Sequence, residues 1–469
     1  MSVEKVSGVK ELPAEFLARM QNMLKEDYRD FRNSYEDAEK KSLRVNTLKG
    51  SKERFLQVSP FGLEPVLWEK NGFYYREEDR PGRHLFHEAG VYYIQEASAM
   101  VPALCMEAGP GERILDLCAA PGGKSTQLGA AMQGEGLLVC NEIHPDRAKI
   151  LSENIERMGI SNAIVTNETP QALAEVFWEY FDKILVDAPC SGEGMFRKNE
   201  EACAQWSVEN VELCAKRQDE ILDCAAKMLR PGGRLVYSTC TFAPEENEGS
   251  VSRFLKRNPA FYLVEPVRYE GMESGRKEWV LRAAEGIEKT LRMFPHKVKG
   301  EGHFAAVFEK EGEGAGSFRG FCRNGEQKES PQKEYKEFLE FAAQNLKKLP
   351  EGVYLRFGEQ LYLASKETPS LAGLKVLRPG LHLGTIKKNR FEPAHALALA
   401  CHAEQVTHSM DFSVKAAEAV RYVEGQTFTA EGEKGWYLIT VDGYSLGWGK
   451  LAGGVMKNHY PKGLRKSLA

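Results

Sequence analysis

Residues 114–125 read Ile-Leu-Asp-Leu-Cys-Ala-Ala-Pro-Gly-Gly-Lys-Ser, and they are the most informative segment for the fold class. An apolar run leads into small residues and then into a helix-compatible pattern, which predicts a strand, a tight turn and a helix start. Small residues let the backbone approach a ligand closely, and a helix N-terminus presents free N–H groups to polar or anionic groups. The stretch therefore predicts a ligand-binding turn.

Short apolar runs rich in Ile, Leu and Val recur on both sides of this turn, between about residues 87 and 310. They are ILDLCAA (114–120), LLVCNEI (137–143), AIVTN (163–167), KILVDA (183–188) and RLVYSTC (234–240). Longer amphipathic segments separate them, and this alternation predicts βαβ units around a mainly parallel sheet, an α/β fold. A last run, HFAAVFE (303–309), is expected to add an edge strand.

The flanking regions predict two smaller α+β domains. In residues 1–86 we expect a helix over 16–35 and a strand over 42–48. Residues 311–333 are rich in Gly, Glu, Lys and Ser, which predicts a linker. Residues 334–469 open with a helical pattern over 334–346 and continue with short strand-like runs between Gly and Pro.

Composition excludes several classes of protein. The chain has 469 residues, 42% hydrophobic and 28% charged, so disorder is not its main state. No run approaches the ~18 apolar residues of a membrane span, and the N-terminus shows no apolar segment of a signal peptide. The ten cysteines form no C-x-x-C pair, which argues against a zinc ribbon or a disulfide framework and favours a reducing cytosol. We expect no metal site and a monomer.

The net charge of -4 hides an asymmetry between the two parts of the chain. Residues 1–333 carry a net charge of -8, whereas residues 334–469 carry +4. A basic C-terminal part can attract a polyanion. On charge alone, however, ordinary surface variation is the better interpretation.

The turn does not follow the common nucleotide-binding patterns. A P-loop needs glycine at position 118, where the chain has Cys118, and a G-x-G-x-x-G pattern is absent. Glu142 follows the next predicted strand, where a carboxylate can bind ribose hydroxyls. Turn and carboxylate together favour an adenosine-type cofactor without a bound phosphate, such as S-adenosylmethionine. The alternative is a surface glutamate after a structural turn.

Two cysteines follow predicted strands of the same sheet. Cys190 lies in Asp187-Ala-Pro-Cys-Ser-Gly and Cys240 in Tyr237-Ser-Thr-Cys-Thr. Ligands of open parallel sheets bind at the carboxyl ends of strands, so both thiols are expected beside the turn. A thiolate that adds to C6 of cytosine makes C5 nucleophilic enough to take a methyl group from a sulfonium, and Asp187 is a candidate acid near N3. This chemistry does not say which cysteine attacks.

The remaining cysteines outside the turn are expected to be structural, because free cysteine is among the most buried residue types. They are Cys105, Cys140, Cys203, Cys214, Cys224, Cys322 and Cys401.

LDLCAAPGGKS (115–125), DAPCSGEG (187–194) and YSTCT (237–241), in this order, resemble the Nop/Sun-type RNA cytosine-C5 methyltransferases, and bacterial ribosomal RNA members above all. Supporting segments are SLRVNTLK (42–49), YYIQEASAM (92–100), GMFRK (194–198) and GEGHFAAVFEK (300–310). LGTIKKNRFEPAH (383–395) and KNHYPKGLR (457–465) resemble the PUA-like RNA-binding module of that group. The resemblance implies a Rossmann-like methyltransferase domain that uses S-adenosylmethionine, between an N-terminal accessory domain and a PUA-like module.

The resemblance also implies roles for individual residues. Cys240 matches the nucleophile, Cys190 the cysteine that aids product release, and Asp187 the acid near cofactor and base. Glu142 matches the ribose ligand, whereas Thr169 stands where the family usually has an Asp that holds the adenine amine. The cofactor-binding turn is matched by Cys118, Ala119, Ala120, Pro121, Gly122, Gly123 and Lys124.

RNA is the partner that the resemblance implies, namely 16S ribosomal RNA or the 30S subunit. Transfer RNA as substrate and a non-catalytic ribosome-assembly factor are the alternatives; a DNA methyltransferase would instead use the Pro-Cys thiol. Trp436 and Trp448 are expected in the core of the small module. Candidates for phosphate contacts are Arg44, Arg197, Lys198, Lys387, Lys388, Arg390, Lys457, Lys462, Arg465 and Lys466.

Overall fold

The N-terminal part is a small antiparallel sheet flanked by short helices. The computed structural model describes residues 12–198, 200–312 and 320–466. The strands are β1 (Ser42–Val45), β2 (Glu64–Pro65), β3 (Gly72–Tyr74) and β4 (Tyr92–Ile94), in the order β2-β3-β1-β4. The helices are α1 (Ala14–Leu24), α2 (Tyr28–Asn33), α3 (Lys52–Val58), α4 (Leu85–Glu88) and α5 (Val101–Cys105).

The single helix expected over residues 16–35 is wrong, because the chain breaks between α1 and α2. Lys25 has a left-handed φ of 49° and opens a 3-10 turn over Lys25–Asp27. The break lets both helices pack on one aromatic cluster, in which Phe16 and Phe31 both contact Phe242. A straight helix would carry one of these rings away from the cluster.

The central part alternates strands and helices as the apolar runs predict. Its strands are β5 (Arg113–Asp116), β6 (Leu137–Asn141), β7 (Ala163–Thr166), β8 (Phe177–Trp178), β9 (Phe181–Asp187), β10 (Leu229–Thr239), β11 (Phe261–Val264), β12 (Glu273–Ser274), β13 (Leu291–Met293) and β14 (His303–Lys310). Its helices are α6 (Gly123–Met132), α7 (Pro145–Arg157), α8 (Pro170–Val176), α9 (Glu200–Ala204), α10 (Val208–Met228) and α11 (Glu248–Arg257).

Five parallel strands, in the order β10-β9-β5-β6-β7, form the middle of this sheet. Alternate residues of each strand enter different cores: Leu115 and Ile184 lie in one apolar cluster, whereas Ile114 and Leu185 lie in another. The sheet is therefore buried on both faces, and helices cover it. This confirms the predicted α/β fold.

The expected edge position of the last strand is wrong. β14 pairs antiparallel with β10 on one side and with β13 and β11 on the other. Its residues from Phe304 to Phe308 are buried, which agrees with an interior position. The physical reason is the segment between β10 and β14, whose own short strands extend the sheet beyond β14.

The C-terminal part contains two smaller sheets. Its strands are β15 (Phe321–Cys322), β16 (Val353–Phe357), β17 (Gln360–Ala364), β18 (Val376–Arg378), β19 (Leu381–Lys387), β20 (Arg390–Pro393), β21 (Ser409–Phe412), β22 (Phe428–Thr429), β23 (Gly435–Val441), β24 (Tyr444–Ala452) and β25 (Val455–Asn458). Its helices are α12 (Lys336–Asn345), α13 (His395–Ala400) and α14 (Ala417–Val423). Trp436 and Trp448 are buried in its core, as predicted.

The C-terminal part also packs against the rest of the chain. β18 pairs with β7 and completes the central sheet, and β15, within the predicted linker, pairs with β8. Residues 313–319 of that linker lie outside the described part. Tyr437 and Tyr444 share an apolar cluster with Leu43 and Tyr92 of the N-terminal sheet. The predicted domain boundaries thus separate parts that share sheets and cores.

Candidate functional site

The turn between β5 and α6 has the geometry that its sequence predicts. Gly122 adopts a φ of 111°, a conformation that side chains disfavour, and α6 begins at Gly123. A Cβ atom at Gly123 would lie 3.3 Å from the Tyr93 ring and 3.4 Å from the Gln95 amide. The glycines therefore let the turn bend sharply against the N-terminal part.

A cleft of about 270 Å³ opens beside this turn. The predicted residues on its wall are Cys118, Ala119, Ala120, Pro121, Gly123, Lys124 and Asp187. The sequence does not predict the other residues that line the cleft. They are Tyr93, Ile94, Gln95, Glu96 and Ala99 of the N-terminal part, Asp116 at the end of β5, and Met195 in the segment after β9. Residues Tyr93 to Ala99 lie in the segment YYIQEASAM (92–100), which resembles the corresponding segment of the family. Its hydrophobic periodicity, however, does not predict that it binds a ligand.

Asp116 is the buried carboxyl at the floor of the cleft. Ser125 donates a hydrogen bond to Oδ2 at 2.6 Å, whereas Oδ1 has no partner among the residues that the structure describes. Burial raises the pKa of Asp116 to about 7. A cleft with one unsatisfied carboxylate oxygen fits the amino and sulfonium groups of S-adenosylmethionine, because both bring positive charge or hydrogen-bond donors.

Glu142 lies at the rim of the turn, just after β6. Its carboxylate accepts the backbone N–H of His144 at 3.0 Å and faces the Arg147 guanidinium at 3.6 Å. Arg147 also donates to the carbonyl of Ala120 at 2.8 Å, so it ties α7 to the turn. Both residues are thus held at the turn, and the role of Glu142 as ribose ligand stays a prediction.

Thr169 is exposed and caps the start of α8. Its hydroxyl accepts the backbone N–H of Ala172 at 3.1 Å, so that oxygen is engaged. Asn167, two residues earlier, donates to the carbonyls of Glu142 and Ile143 at 2.7 and 2.9 Å. The loop after β7 is thereby fixed beside Glu142, and an adenine contact of Thr169 stays a prediction.

An ion pair joins the turn to the end of β9. The Lys124 ammonium lies 2.7 Å from Oδ2 of Asp187, and the Ser238 hydroxyl donates to Oδ1 at 2.7 Å. Burial alone would raise the pKa of Asp187, but Lys124 and the two hydrogen bonds outweigh it and lower that pKa below its usual value. Asp187 is therefore ionised at neutral pH, and Lys124 carries the proton.

The two candidate cysteines meet at the carboxyl ends of β9 and β10. Their sulfur atoms lie 3.4 Å apart, and both side chains are half-buried. The contact with Cys240, together with burial, raises the pKa of Cys190 well above its usual value. Cys190 therefore stays a thiol and can donate its S–H toward Cys240. The sequence predicts these two residues at one edge of the sheet, and the structure places them in contact.

His303 is a neighbour of the site that sequence reasoning missed. Thr239 pairs with Phe304, so His303 at the start of β14 stands beside the position of Cys240. Its Nδ1 lies 2.9 Å from the Ser98 hydroxyl, and burial and Lys124 lower its pKa to about 4. The histidine is therefore neutral at pH 7. Two signals in the sequence point to it: its place at the start of a predicted strand and its position in the segment GEGHFAAVFEK, which resembles the family.

The structure contradicts two of the predicted phosphate contacts. Arg44 is buried and donates to Gln95, to the carbonyl of Gly123 and to Thr126 at 2.9–3.0 Å. Arg197 is buried and binds Glu301 at 2.8 Å. Arg44 thereby joins the N-terminal sheet to the turn, and the guanidinium of Arg197 is bound by Glu301, so both are engaged inside the protein.

The other basic candidates lie at least partly at the surface. Lys387, Arg390 and Lys466 pair with nearby glutamates. Those without a glutamate at ion-pair distance in the described part include Lys388, Lys457 and Lys462, which are exposed. In residues 12–198, 200–312 and 320–466, no helix has the length and apolarity of a bilayer span, and no three Cys, His, Asp or Glu side chains converge as metal ligands.

Of the cysteines expected to be structural, Cys140, Cys214, Cys224 and Cys401 are buried. The other three, Cys105, Cys203 and Cys322, are partly exposed, so burial explains them less well. All three lie at the margins of apolar clusters.

Family models match four successive parts of the chain. The model for the 16S rRNA methyltransferase RsmB/F covers residues 103–309, and that for the N-terminal domain of 16S rRNA methyltransferase RsmF covers 12–97. The models for the first C-terminal domain and the PUA domain of the RsmF methyltransferase cover residues 340–401 and 410–466.

Two curated relatives are similar over almost their whole length. The ribosomal RNA small subunit methyltransferase F of Shewanella oneidensis is 32% identical over 454 residues, 91% of each chain. The protein of the same name from Vibrio cholerae is 33% identical over 475 residues, 97% of each chain.

Solved structures share the central fold. A methyltransferase homologue from Pyrococcus horikoshii is 30% identical, with a TM-score of 0.56 over 63% of this chain and 94% of the other. NSun6 from the same organism, solved with SFG, has a TM-score of 0.55 at 23% identity over 65% of this chain and 100% of the other, which shows the fold. With the cleft, the ordered motifs and these matches, the chain belongs to the RsmB/F family of S-adenosylmethionine-dependent ribosomal RNA methyltransferases.

Proposed function

We propose that this chain methylates C5 of cytosine in 16S ribosomal RNA, with Cys240 as the nucleophile and Cys190 as the residue that assists release. The observation that carries the proposal is the contact of the two sulfur atoms, 3.4 Å apart, at the sheet edge where Asp187 meets Lys124. The cofactor cleft borders the same ion pair. The names of the relatives support 16S ribosomal RNA as the substrate.

S-adenosylmethionine, when bound, supplies an electrophilic methyl group on a sulfonium. The Cys240 thiolate adds to C6 of the cytosine, and the ring electrons that this addition releases make C5 the nucleophile. Cys190 remains a thiol because its pKa is raised, and its S–H can donate to the Cys240 sulfur, 3.4 Å away.

The base is held by the ion pair. Because Asp187 is ionised, it accepts a hydrogen bond from the exocyclic amine, and the Lys124 ammonium is the proton-bearing group that stabilises negative charge on the ring. This proposal differs from the sequence-based expectation that Asp187 is the acid near N3. Lys124 accordingly acts on the base as well as on the cofactor side of the cleft.

Release completes the cycle. After methylation, the proton on C5 leaves to a base, the electrons of that C–H bond re-form the C5–C6 double bond, and the S–C6 bond breaks to return the Cys240 thiolate. Cys190 contacts the departing sulfur and donates a hydrogen bond to it, which stabilises the leaving thiolate. Without Cys190 the protein should remain bonded to its RNA.

The test uses labelled S-adenosylmethionine with 16S RNA, 30S particles and transfer RNA as parallel substrates, followed by bisulfite mapping of 5-methylcytosine. We expect transfer to small-subunit RNA by the wild type and none by Cys240→Ala. Cys214→Ala is the matched control, since Cys214 is buried in α10, and it should transfer normally. Transfer to transfer RNA alone, or normal transfer by Cys240→Ala, would overturn the proposal.

A further inference from the structure

The two cysteine-bearing loops are cross-linked by a buried polar network centred on Glu246. This carboxylate accepts the backbone N–H of Ser191 at 3.0 Å and also binds the Ser191 hydroxyl. The Ser191 hydroxyl in turn lies 2.8 Å from the hydroxyl of Thr241. Ser191 follows Cys190 and Thr241 follows Cys240, so Glu246 and Ser191 connect the residues next to the two thiols.

A second residue, Gln218, binds the residue that precedes Cys190. Gln218, on α10, donates one amide group both to Glu246 at 2.8 Å and to the carbonyl of Pro189 at 3.0 Å. The Tyr237 hydroxyl, on the strand that carries Cys240, donates to the carbonyl of Glu246 at 2.6 Å. Residues on both sides of Cys190 are therefore fixed relative to β10.

All members of this network are buried: Ser191, Gln218, Tyr237, Thr241 and Glu246. A carboxylate is costly to bury, and burial raises the pKa of Glu246 to about 7. Apolar side chains would fill this space at a lower cost, because a buried charge stabilises a fold less than good apolar packing does. What the carboxylate provides instead is a fixed geometry, since its two oxygens accept several donors from different elements.

We propose that Glu246 is a positioning residue that holds the Cys190 thiol against Cys240 and thereby sets the rate of product release. The inference rests on the roles proposed above for the two cysteines. Glu246 acts on the thiols through Ser191 and Gln218 and has no direct role at the reacting atoms. When it is removed, the loop that carries Cys190 loses its anchor to β10, and the departing sulfur loses its hydrogen-bond donor.

The test separates methyl transfer from release. Single-turnover transfer to RNA and multiple-turnover rate are measured with Glu246→Ala, Glu246→Gln and Ser191→Ala, and protein–RNA adducts are scored on denaturing gels. We expect Glu246→Ala to lower the multiple-turnover rate by about tenfold, the effect of losing the one hydrogen bond from the Cys190 thiol to the departing thiolate, and to accumulate adduct. Single-turnover transfer should change much less. Glu246→Gln keeps an acceptor for Ser191 and should show a smaller release defect.

Glu245→Gln is the matched control, because Glu245 is the preceding residue and its side chain is exposed. It should behave as wild type in both measurements. A purely structural role of Glu246 would lower both rates in parallel without adduct, and that result would overturn the inference. If Glu246→Ala does not fold, Ser191→Ala tests the inference instead, because it removes only one hydroxyl of the network. The inference then requires that Ser191→Ala accumulates the same protein–RNA adduct.

Cys190→Ala is measured in parallel, because it tests the proposed cysteine roles separately from the role of Glu246. If Cys190→Ala accumulates adduct but Glu246→Ala and Ser191→Ala do not, the positioning role of Glu246 is wrong and the proposed cysteine roles stand. No adduct with Cys190→Ala contradicts the cysteine roles themselves and removes the basis of the inference as well.

Discussion

Replacing Asp116 by asparagine should make the cofactor-free protein more stable and its binding of S-adenosylmethionine weaker. The carboxyl is fully buried, and its Oδ1 has no partner in the described part of the chain. Burial raises its pKa from 3.8 to about 7, so the folded protein favours the protonated form. The stability that this carboxyl contributes is therefore present below pH 4 and is lost as pH rises toward 7.

The size of the effect follows from that shift. Three pH units correspond to about 4 kcal/mol of lost stability above pH 7, at 1.36 kcal/mol per unit. Asparagine carries no charge, but its amide brings a buried N–H that costs about 2 kcal/mol when it has no acceptor. The variant should thus be more stable than wild type by about 2 kcal/mol at pH 8, with the difference vanishing near pH 5.

Cofactor binding should change in the opposite direction. The positive charge of S-adenosylmethionine favours the ionised carboxyl, and with a pKa of about 7 only about one molecule in ten is ionised at pH 6. Wild-type affinity should therefore fall about tenfold between pH 8 and pH 6, whereas Asp116→Asn should bind weakly at both.

Calorimetric titration at pH 6, 7 and 8 measures the affinities, and urea unfolding of the cofactor-free protein measures the stabilities. Asp146→Asn, an exposed carboxyl at the start of α7, is the control and should keep the wild-type pH dependence. The reasoning is refuted if wild-type affinity is flat with pH, or if Asp116→Asn is less stable than wild type at pH 8.

Three further predictions concern the turn and the surface. Arg44→Met should lower the free energy of unfolding by about 3 kcal/mol, because three buried acceptors lose their donor. The salt dependence of RNA binding should not change. A shallower slope of affinity against salt in the variant would support the phosphate contact predicted for Arg44. Glu142→Gln should weaken S-adenosylmethionine binding about tenfold in calorimetry, since a charged acceptor at the turn is lost, and an unchanged affinity would exclude it as a ligand. The double variant Lys388→Ala, Lys462→Ala should weaken RNA binding and reduce its salt slope by roughly 1.5 without altering cofactor affinity; an unchanged slope would remove both from the RNA interface.

The parts of the fold that periodicity predicts are those in which burial is uniform along the element. The five parallel strands were found because each is a short apolar run buried on both faces, and their carboxyl ends necessarily share one edge of the sheet. The shared edge also predicts that Cys190 and Cys240 lie close together. Their contact at 3.4 Å lies beside loop hydrogen bonds, such as that of the Ser191 N–H to Glu246, which no pattern along the chain reveals.

The sequence-based predictions are wrong where contacts with residues distant along the chain determine burial, strand position or charge. The sequence predicts Arg44 as a surface charge, because its acceptors lie some 50 to 80 positions away and become neighbours only in the folded chain. The interior place of β14 depends on β13 and β11, strands of three and four residues with weak periodicity. The ionised state of Asp187 depends on Lys124, which is 63 residues away along the chain.

Trapping the RNA on the protein tests the proposed chemistry most directly. Cys190→Ala is incubated with 16S RNA and S-adenosylmethionine, denatured and digested, and the peptide that carries the modified nucleotide is identified by mass spectrometry. We expect a 5-methylcytidine bonded through C6 to the sulfur of Cys240, and no adduct when Cys240 is also replaced. Freely released product from Cys190→Ala, or a nucleotide bonded to any other cysteine, would contradict the assignment.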